Sequence, residues 1–394
     1  MKKLVLSFVI ILYAVALKAQ QKHFYMFSKM NGTVTLEDGS TTDFWGYGFY
    51  VPASPNRPSL PGPTLVVDEG DTVSIHFRNL SPEEHTIHLH GLDVDQANDG
   101  VPQTSFSVSF NDSTTYTFVA THTGSYLYHC HVATTLHLAM GMYGMIVVRN
   151  KPNPNQVFDS GPGFNKEYLF LASEMNRAWN NNAVSPGPFN LYVADYFMIN
   201  GFSGSQLFLD SVNVINAQPN DSIVLRLANM GYGFVNYSFP AGLNAKVVMS
   251  DGRELPVAFS TDTLRIYPGE RYEVVLKPTT MIVDFITVNY HNSINETYMG
   301  TNYIGVNVYT YSVGMQENNS ANGLKIYPNP ANELISVLNE NPGTRELIIF
   351  SLDGKVVLKS RIAQGNNNID ISSLSNGMYL VKSGNTFSRF VIAR

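Results

Sequence analysis

The sequence predicts an all-β protein made of two successive Greek-key β-barrels and a small C-terminal β-sandwich. Short alternating runs at residues 71–77, 113–119 and 222–227 are bounded by Gly, Pro, Asn and Asp, which is typical of half-buried strands. No long segment repeats apolar residues with the 3.6-residue period of a helix. The chain has 22 Tyr and 23 Phe, and charged residues make up only 14 %, a composition that suits a β-rich secreted protein.

Residues 1–19 have the pattern of a secretory signal peptide. Lys2 and Lys3 precede an apolar run that ends at Leu17, and Ala19 is a small residue at a suitable cleavage point. The run is too short to span a membrane, and no later stretch of about twenty apolar residues occurs. We therefore expect a protein that is secreted or attached to the cell surface, with no membrane span.

Two stretches of similar layout predict the two barrels. The runs at residues 69–73 and 218–223 each open a strand that ends in an asparagine, and each suits a strand entering a Greek-key barrel. A connection rich in Pro, Asn and Gly lies between them. The predicted boundaries are 20–152 for the first barrel, 160–312 for the second, 313–323 for a polar linker and 324–394 for the last block.

Charge and cysteine content restrict the function. The chain has 25 Lys and Arg against 31 Asp and Glu, a net charge of −6, so it lacks a basic footprint for nucleic acid. Its one cysteine, Cys130, has no partner for an internal disulfide. A free thiol in an oxidising compartment is prone to oxidation unless it is bound to something. Binding to a metal ion is the simplest way to protect it.

Seven of the ten histidines lie between residues 85 and 137, together with the cysteine. Side chains on a strand alternate between its two faces, so every second residue points the same way. Applied to the runs 85–90 and 129–131, this alternation predicts two sites, back to back on two adjacent strands. One face collects His85 and Cys130, and the other collects His88, His90, His129 and His131.

The loop after Cys130 adds His137 and Met142 to the cysteine-bearing face. A thiolate, two imidazoles and a thioether form the blue-copper ligand set, which favours one-electron exchange. Met140 is a rival for the thioether position, and we prefer Met142 because it lies five residues beyond His137 and precedes Gly144 and a strand. The histidine-only face suits copper that meets oxygen or another small oxidant.

Cys130 is covalently continuous with both neighbouring histidines, which gives electrons a short route between the sites. We therefore take Cys130, His129 and His131 as the catalytic set. Three aspartates between residues 93 and 99 either relay protons to the histidines or form a solvated acidic loop. We assign His76 and His122 to strand and loop surfaces and His23 to a loose N-terminus.

Several motifs of the chain look like those of multicopper oxidases. The resemblance covers roughly residues 45–310 and implies two cupredoxin-like barrels, copper as the cofactor and oxidoreductase activity. It places His85, Cys130, His137 and Met142 on type 1 copper ligands, and His88, His90, His129 and His131 on type 2/type 3 ligands. The motifs are at 61–63, 69–71, 87–91, 99–103 and 124–129 in the first barrel, and at 197–201, 226–229 and 250–252 in the second.

The chain also departs from the family. In three-domain laccases the first domain lacks a type 1 site, whereas here that set lies in the first domain, as in two-domain oxidases and copper nitrite reductases. A complete trinuclear cluster needs twice the four histidines that the first domain supplies. The second domain has no His-x-His motif. His291 resembles the residue that nitrite reductases lend to a neighbouring subunit of a trimer, or it is an exposed turn histidine.

Three functional hypotheses follow. The first is a secreted oxidoreductase that takes electrons from a small, phenolic or metal-ion donor and reduces dioxygen at the histidine face. The second is a nitrite-reductase-like homotrimer in which His90, His129 and a neighbour's His291 hold the type 2 copper. Against it, His88 stands where those enzymes carry a catalytic Asp. The third is an electron carrier or copper-sequestering protein with a degenerate cluster.

The last block resembles the C-terminal sorting domain of the type IX secretion system. The residues that carry this resemblance lie at 326–331, 350–356 and 374–381. The resemblance implies that this block is a signal recognised by the secretion machinery. In most proteins that carry such a block it is removed after export, and it has no chemistry of its own.

Overall fold

The computed structural model describes residues 20–183, 188–208, 211–310, 325–329, 331–339, 342–351, 356–383 and 386–392. The predicted signal peptide and the predicted linker lie outside the described residues. The all-β prediction is confirmed, because β-strands dominate the described chain and its helices are short. No helix in this part of the chain is long and apolar enough to cross a membrane.

The first barrel packs two four-stranded sheets face to face around one apolar core. Its elements are β1 (Gln21–Thr35), β2 (Thr41–Phe49), β3 (Leu65–Asp68), β4 (Thr72–Asn79), β5 (His88–His90), β6 (Ser113–Val119), β7 (Gly124–His129), α1 (Thr134–Ala139) and β8 (Tyr143–Arg149), with a 3₁₀ turn at Gln96–Asn98. The sheet orders are β2-β1-β4-β6 and β3-β8-β7-β5. Tyr116, Tyr128 and Cys130 are among the buried side chains of this core.

The register of β5 against β7 positions the histidines. The two strands are antiparallel, and His88 lies opposite His129 while His90 lies opposite Leu127. β5 buries Leu89 and leaves the two histidines beside it half-buried. Since neighbouring residues of a strand face opposite ways, one side of this strand pair faces the core of the first barrel and the other faces the second barrel.

The second barrel has the same two-layer architecture. Its elements are β9 (Lys166–Met175), α2 (Arg177–Asn180), β10 (Tyr196–Ile199), β11 (Val214–Ala217), β12 (Ile223–Asn229), β13 (Phe234–Ser238), β14 (Lys246–Ser250), β15 (Arg253–Ser260), β16 (Thr263–Ile266), β17 (Arg271–Leu276), β18 (Ile282–His291) and β19 (Tyr298–Val308), with 3₁₀ turns at Phe189–Leu191, Gly204–Phe208, Ser211–Asn213 and Ala241–Leu243. The sheet orders are β10-β9-β12-β17-β14-β15 and β11-β19-β18-β13-β16.

The C-terminal block forms a small β-sandwich with its own core, which includes Ile335, Leu347 and Val381. Its strands are β20 (Lys325–Tyr327), β21 (Leu334–Asn339), β22 (Arg345–Phe350), β23 (Val356–Ile362), β24 (Gly365–Asp370), β25 (Gly377–Ser383) and β26 (Thr386–Ile392). They form the sheets β20-β21-β24 and β23-β22-β25-β26. The exact boundaries between the three units stay predictions.

The two barrels share a packed interface. Its apolar part joins strands β7 and β8 to strands β9 and β12 through Leu127, Tyr143, Met145, Leu171, Ala228 and Met230. Its polar part is a chain of alternating charges. Glu167 pairs with Arg149 of the first barrel and accepts a 2.7 Å hydrogen bond from Nε of Arg226, whose Nη1 lies 3.3 Å from the carboxylate of Glu273.

Arg226 is buried, and so is the Glu273 carboxylate that it neutralises. Arg226→Met should lower the free energy of unfolding by about 3–5 kcal/mol, because it leaves a carboxylate buried without its charge partner. Chemical denaturation of the full chain measures this loss. Arg265→Met is the matched control, since Arg265 is 40 % exposed beside Glu296 and should cost roughly 1 kcal/mol or less. Equal losses in the two variants would contradict the expectation.

Candidate metal centre

A buried cluster of one sulfur and two imidazoles lies at the end of β7. Sγ of Cys130 is 3.1 Å from Nδ1 of His137 and 3.6 Å from Nδ1 of His85. The three potential ligand atoms all lie within 4.8 Å of one another. Both rings turn the same nitrogen towards the sulfur, as ligands of one shared ion would.

Local backbone bonds close this cluster. The backbone N–H of Cys130 donates to the carbonyl oxygen of Met142 at 3.1 Å, and the N–H of Met142 donates to the carbonyl oxygen of His137 at 3.0 Å. α1 begins after Ala133, which adopts a left-handed conformation with φ of 41°, and returns His137 to the cysteine. His85 comes from outside this loop, in a bridge beside β5.

Two methionines are candidates for the fourth ligand position. Met142 and its rival Met140 are both buried in the same core cluster as Cys130. Only Met142 bonds through its backbone to both Cys130 and His137. Its choice as the thioether ligand stays a prediction.

Burial prepares the donors of this cluster for a metal. Loss of hydration lowers the pKa of His85 to about 3 and also lowers the pKa of His137, although a hydrogen bond with Glu83 opposes the shift at His137. Both imidazoles are therefore neutral, the form that binds metals. Burial raises the pKa of the Cys130 thiol, so a metal must displace its proton. One thiolate and two imidazoles, all excluded from water, fit a blue-copper ion.

A second cluster, which we call the histidine face, consists of His88, His90, His129 and His131 and faces the second barrel. Nδ1 of His90 lies 3.3 Å from Nε2 of His129, and the ring centroids of His88 and His129 are 5.0 Å apart. Donor atoms of these three residues lie within 4.8 Å of one another. Burial lowers the pKa of His90 to about 4 and that of His129 to about 3. Three imidazole nitrogens at this spacing fit a type 2 copper ion.

His131 stands beside this group without joining it. Its ring centroid lies 5.2 Å from that of His88 and 5.9 Å from that of His129. Its Nδ1 is buried and has no hydrogen-bond partner among the described residues. The alternation of the strand thus places His129 and His131 on one side, as predicted, but brings only three donors of the face together.

One of the three aspartates of the acidic loop touches the histidine face. Nδ1 of His88 lies 2.8 Å from the carbonyl oxygen of Asp99 and 3.2 Å from its carboxylate. Metal-binding histidines use their second nitrogen in this way, which fixes the ring. Asp93 instead pairs with Arg253 at 2.7 Å and His122 at 3.2 Å on the surface. The contact favours a functional role for Asp99 and a structural one for Asp93.

Besides His122, three histidines lie apart from both clusters. His291 stacks on Phe234 with ring centroids 4.9 Å apart, and no metal-binding group found among the described residues includes it. His76 lies on β4, as expected. The assignment of His23 to a loose N-terminus is wrong, since His23 lies in β1 and its Nδ1 is 3.0 Å from Nε2 of His76. Parallel pairing of β1 with β4 orders this segment.

Sequence reasoning missed two charged residues at the site. The Glu83 carboxylate lies 3.3 Å from Nε2 of His137 and is 51 % exposed. Its place two residues before His85 was the signal that could have found it. Arg271 enters from the second barrel and lies buried beside His90. Nothing in its own stretch of sequence marks it, because the contact depends on the docking of the two barrels.

Comparison with known proteins shows which families match. Two family models described as multicopper oxidase match residues 56–153 and 171–312, and one described as a secretion system C-terminal sorting domain matches 325–392. Laccase-15 of Oryza sativa subsp. japonica is 29 % identical over 231 residues, 55 % of this chain and 37 % of that protein. A copper-containing nitrite reductase of Neisseria meningitidis serogroup B is 27 % identical over 212 residues, 52 % of this chain and 48 % of that protein. The chain spans less than half the length of these two curated relatives.

Solved structures agree with the fold. The blue copper oxidase of Nitrosomonas europaea superposes with a TM-score of 0.60 at 26 % identity, covering 74 % of this chain and 86 % of that one. A copper nitrite reductase from the same organism superposes with a TM-score of 0.54 at 19 % identity, covering 74 % of this chain and 94 % of that one. Because the nitrite reductase is only 19 % identical to this chain, its match supports the shared fold and nothing further.

The assignment of Cys130 as a copper ligand has a direct optical test. Cys130→Ser should abolish the intense blue absorption of the copper-loaded protein, because that colour needs a thiolate on the metal. An absorption spectrum after copper loading measures it. The matched control is His122→Ala, which removes a surface histidine and should leave the colour unchanged. A blue Cys130→Ser protein would contradict the assignment.

Proposed function

The chain belongs to the multicopper oxidase family, and from that premise we propose that it is a copper-dependent oxidoreductase that oxidises a small donor and reduces dioxygen. The observation that carries the proposal is the junction of the two clusters at Cys130. The cysteine belongs to one cluster, while His129, its neighbour in the chain, belongs to the other. Nδ1 of His129 also lies 3.1 Å from the carbonyl oxygen of Cys130, so a covalent and a hydrogen-bonded route run side by side.

The cysteine-bearing cluster suits the first electron transfer. His85, Cys130 and His137 would hold the type 1 copper, with Met142 as the predicted fourth ligand, and the ion would supply one-electron exchange. The surrounding core excludes water and holds the ligands in place. A buried, rigid site changes little when its charge changes, which favours fast transfer.

We place the approach of the donor at the edge of His137. Trp45 packs edge-on against this ring with centroids 5.4 Å apart, and it also lines a cavity of about 510 Å³ with Pro82 and Asn181. Glu83 joins Nε2 of His137 to the surface. A carboxylate at this point favours donors that release a proton or carry positive charge, such as phenols or metal ions.

The histidine face suits the reduction of the oxidant. His88, His90 and His129 would hold copper there, with His131 adjacent, and the ion would supply the coordination position for dioxygen. Reduction of dioxygen consumes protons. The Asp99 carboxylate is 30 % exposed and contacts His88, so it can take protons from solvent and pass them towards this face.

Export completes the proposal. The sorting domain at 325–392 indicates type IX secretion to the cell surface or outside, with the secretion machinery as partner. A signal peptide at 1–19 would supply the first step across the inner membrane. Copper would then be loaded during or after export, because a lone cysteine needs a bound metal once it reaches an oxidising compartment.

A nitrite-reductase-like trimer is the second candidate, and the setting of His291 favours it. Phe234 stacks on the ring with an interplanar angle of 2°, and Nδ1 lies 3.3 Å from the carbonyl oxygen of Glu296. This leaves Nε2 as the nitrogen for a ligand, in the manner of metal-binding histidines. The identity of His88, where those enzymes carry Asp, stands against this candidate.

His88→Ala tests the oxidase proposal. The variant should stop oxygen uptake by the copper-loaded protein while the blue absorption survives, because His88 belongs only to the histidine face. An oxygen electrode with a phenolic donor and a spectrum of the same sample measure both. His76→Ala serves as the control and should keep both properties. Unchanged oxygen uptake in His88→Ala would refute the proposed route.

His291→Ala tests the trimer. If His291 completes a site on a neighbouring subunit, the variant should lose about one copper per chain from an oligomer, since type 2 copper would lack a ligand. Light scattering and elemental analysis measure the two quantities. A monomer with undiminished copper would exclude the second candidate.

A further inference from the structure

Arg271 joins the two barrels beside the histidine face. It opens β17 and is only 4 % exposed. Its Nε donates to the carbonyl oxygen of Ser125 in β7 at 3.3 Å, and its Nη1 donates to the carbonyl oxygen of Gly269 at 2.8 Å and to the Asp251 carboxylate at 2.9 Å. Acceptors from both barrels therefore hold the guanidinium in one orientation.

The segment that carries Arg271 encloses His90 on two sides. A Cβ at Gly91, the residue after His90, would collide with Nη2 of Arg271, and the φ of +87° at Gly91 also favours glycine. On the ring side, a Cβ at Gly269 would lie 3.1 Å from Cε1 of His90. The guanidinium of Arg271 therefore lies beside the backbone that follows His90.

The histidine face has ligands for one ion. Three of its donors lie within 4.8 Å of one another, and His131 lies outside that group. On the side that faces the second barrel, Gly269 and Arg271 approach His90, and neither is a metal ligand. His291 is the sole histidine after residue 137, and it packs on Phe234.

The buried charge of Arg271 also opposes the addition of further dications, because like charges in a medium of low dielectric constant repel, and the Asp251 carboxylate offsets only part of this repulsion. We propose that the histidine face holds a single copper ion, bound by His88, His90 and His129, and that Arg271 is the positioning residue that fixes His90 and excludes a second ion. This inference rests on the proposed function only in taking copper as the metal. It replaces the trinuclear cluster that the family resemblance implies with a mononuclear site.

The first experiment counts copper in the full chain after loading and dialysis. Elemental analysis should give about two copper ions per chain, one in each cluster. Double integration of the electron paramagnetic resonance spectrum should account for all of this copper, because isolated ions are not coupled to each other. Three or more ions per chain, or a fraction of copper without a resonance signal, would overturn the proposal.

The second experiment changes the charge. Arg271→Gln should bind the copper ion of the histidine face about tenfold more tightly than the wild type, because a repelling charge is gone. A purely structural role predicts weaker binding instead. Arg271→Lys keeps the charge and should therefore bind this ion no more tightly than the wild type. Arg253→Gln is the control, since Arg253 also bridges the barrels but pairs with Asp93 at the surface.

Competition with a chromogenic chelator measures these affinities, and the blue absorption reports that each variant is folded. Unchanged or weaker binding in a blue Arg271→Gln protein would overturn the role of Arg271. If that variant does not fold, Arg271→Lys decides: a count of two ions supports the role, and a third ion contradicts it. Oxygen uptake enters neither readout, so failure of the oxidase proposal would leave this result intact.

Discussion

The alternation of side chains where β7 ends is the constraint on which both clusters depend. His129 and His131 point towards the second barrel because Cys130, between them, points into the core of the first. The antiparallel register with β5 repeats the division, since Leu89 is buried while the histidines on either side face outward. A shift of one residue in this pairing would exchange the two faces and destroy both clusters at once.

The second barrel has no His-x-His motif, yet it shapes the site. It buries the outer face of β7 against β9 and β12, and its β16–β17 loop closes over His90. Arg149 of the first barrel pairs with Glu167, so the charged chain of Glu167, Arg226 and Glu273 in the second barrel also links the two barrels. Removal of water from the histidine face is thus a property of the pair of barrels, and the first barrel alone could not provide it.

Sequence patterns predicted the parts of this structure that depend on local periodicity. The all-β fold, the division of the histidines between two faces and the return of His137 to Cys130 all follow from strand alternation and short loops. Sequence patterns could not predict the positions of residues that depend on contacts between distant parts of the chain. Arg271 meets His90 only because the barrels pack, and the parallel pairing that orders His23 joins strands far apart in the chain. The contact between Glu83 and His137 also needed the tertiary fold.

The central claim is that electrons delivered to the cysteine-bearing cluster leave through the histidine face. Rapid mixing of the fully reduced, copper-loaded protein with dioxygen, followed by absorption, tests it most directly. The account predicts that the blue colour returns in the wild type as oxygen is consumed, and that it stays bleached far longer in a protein whose histidine face lacks copper. Equal rates of return in the two samples would show that oxygen takes electrons from the blue site itself and would contradict the account.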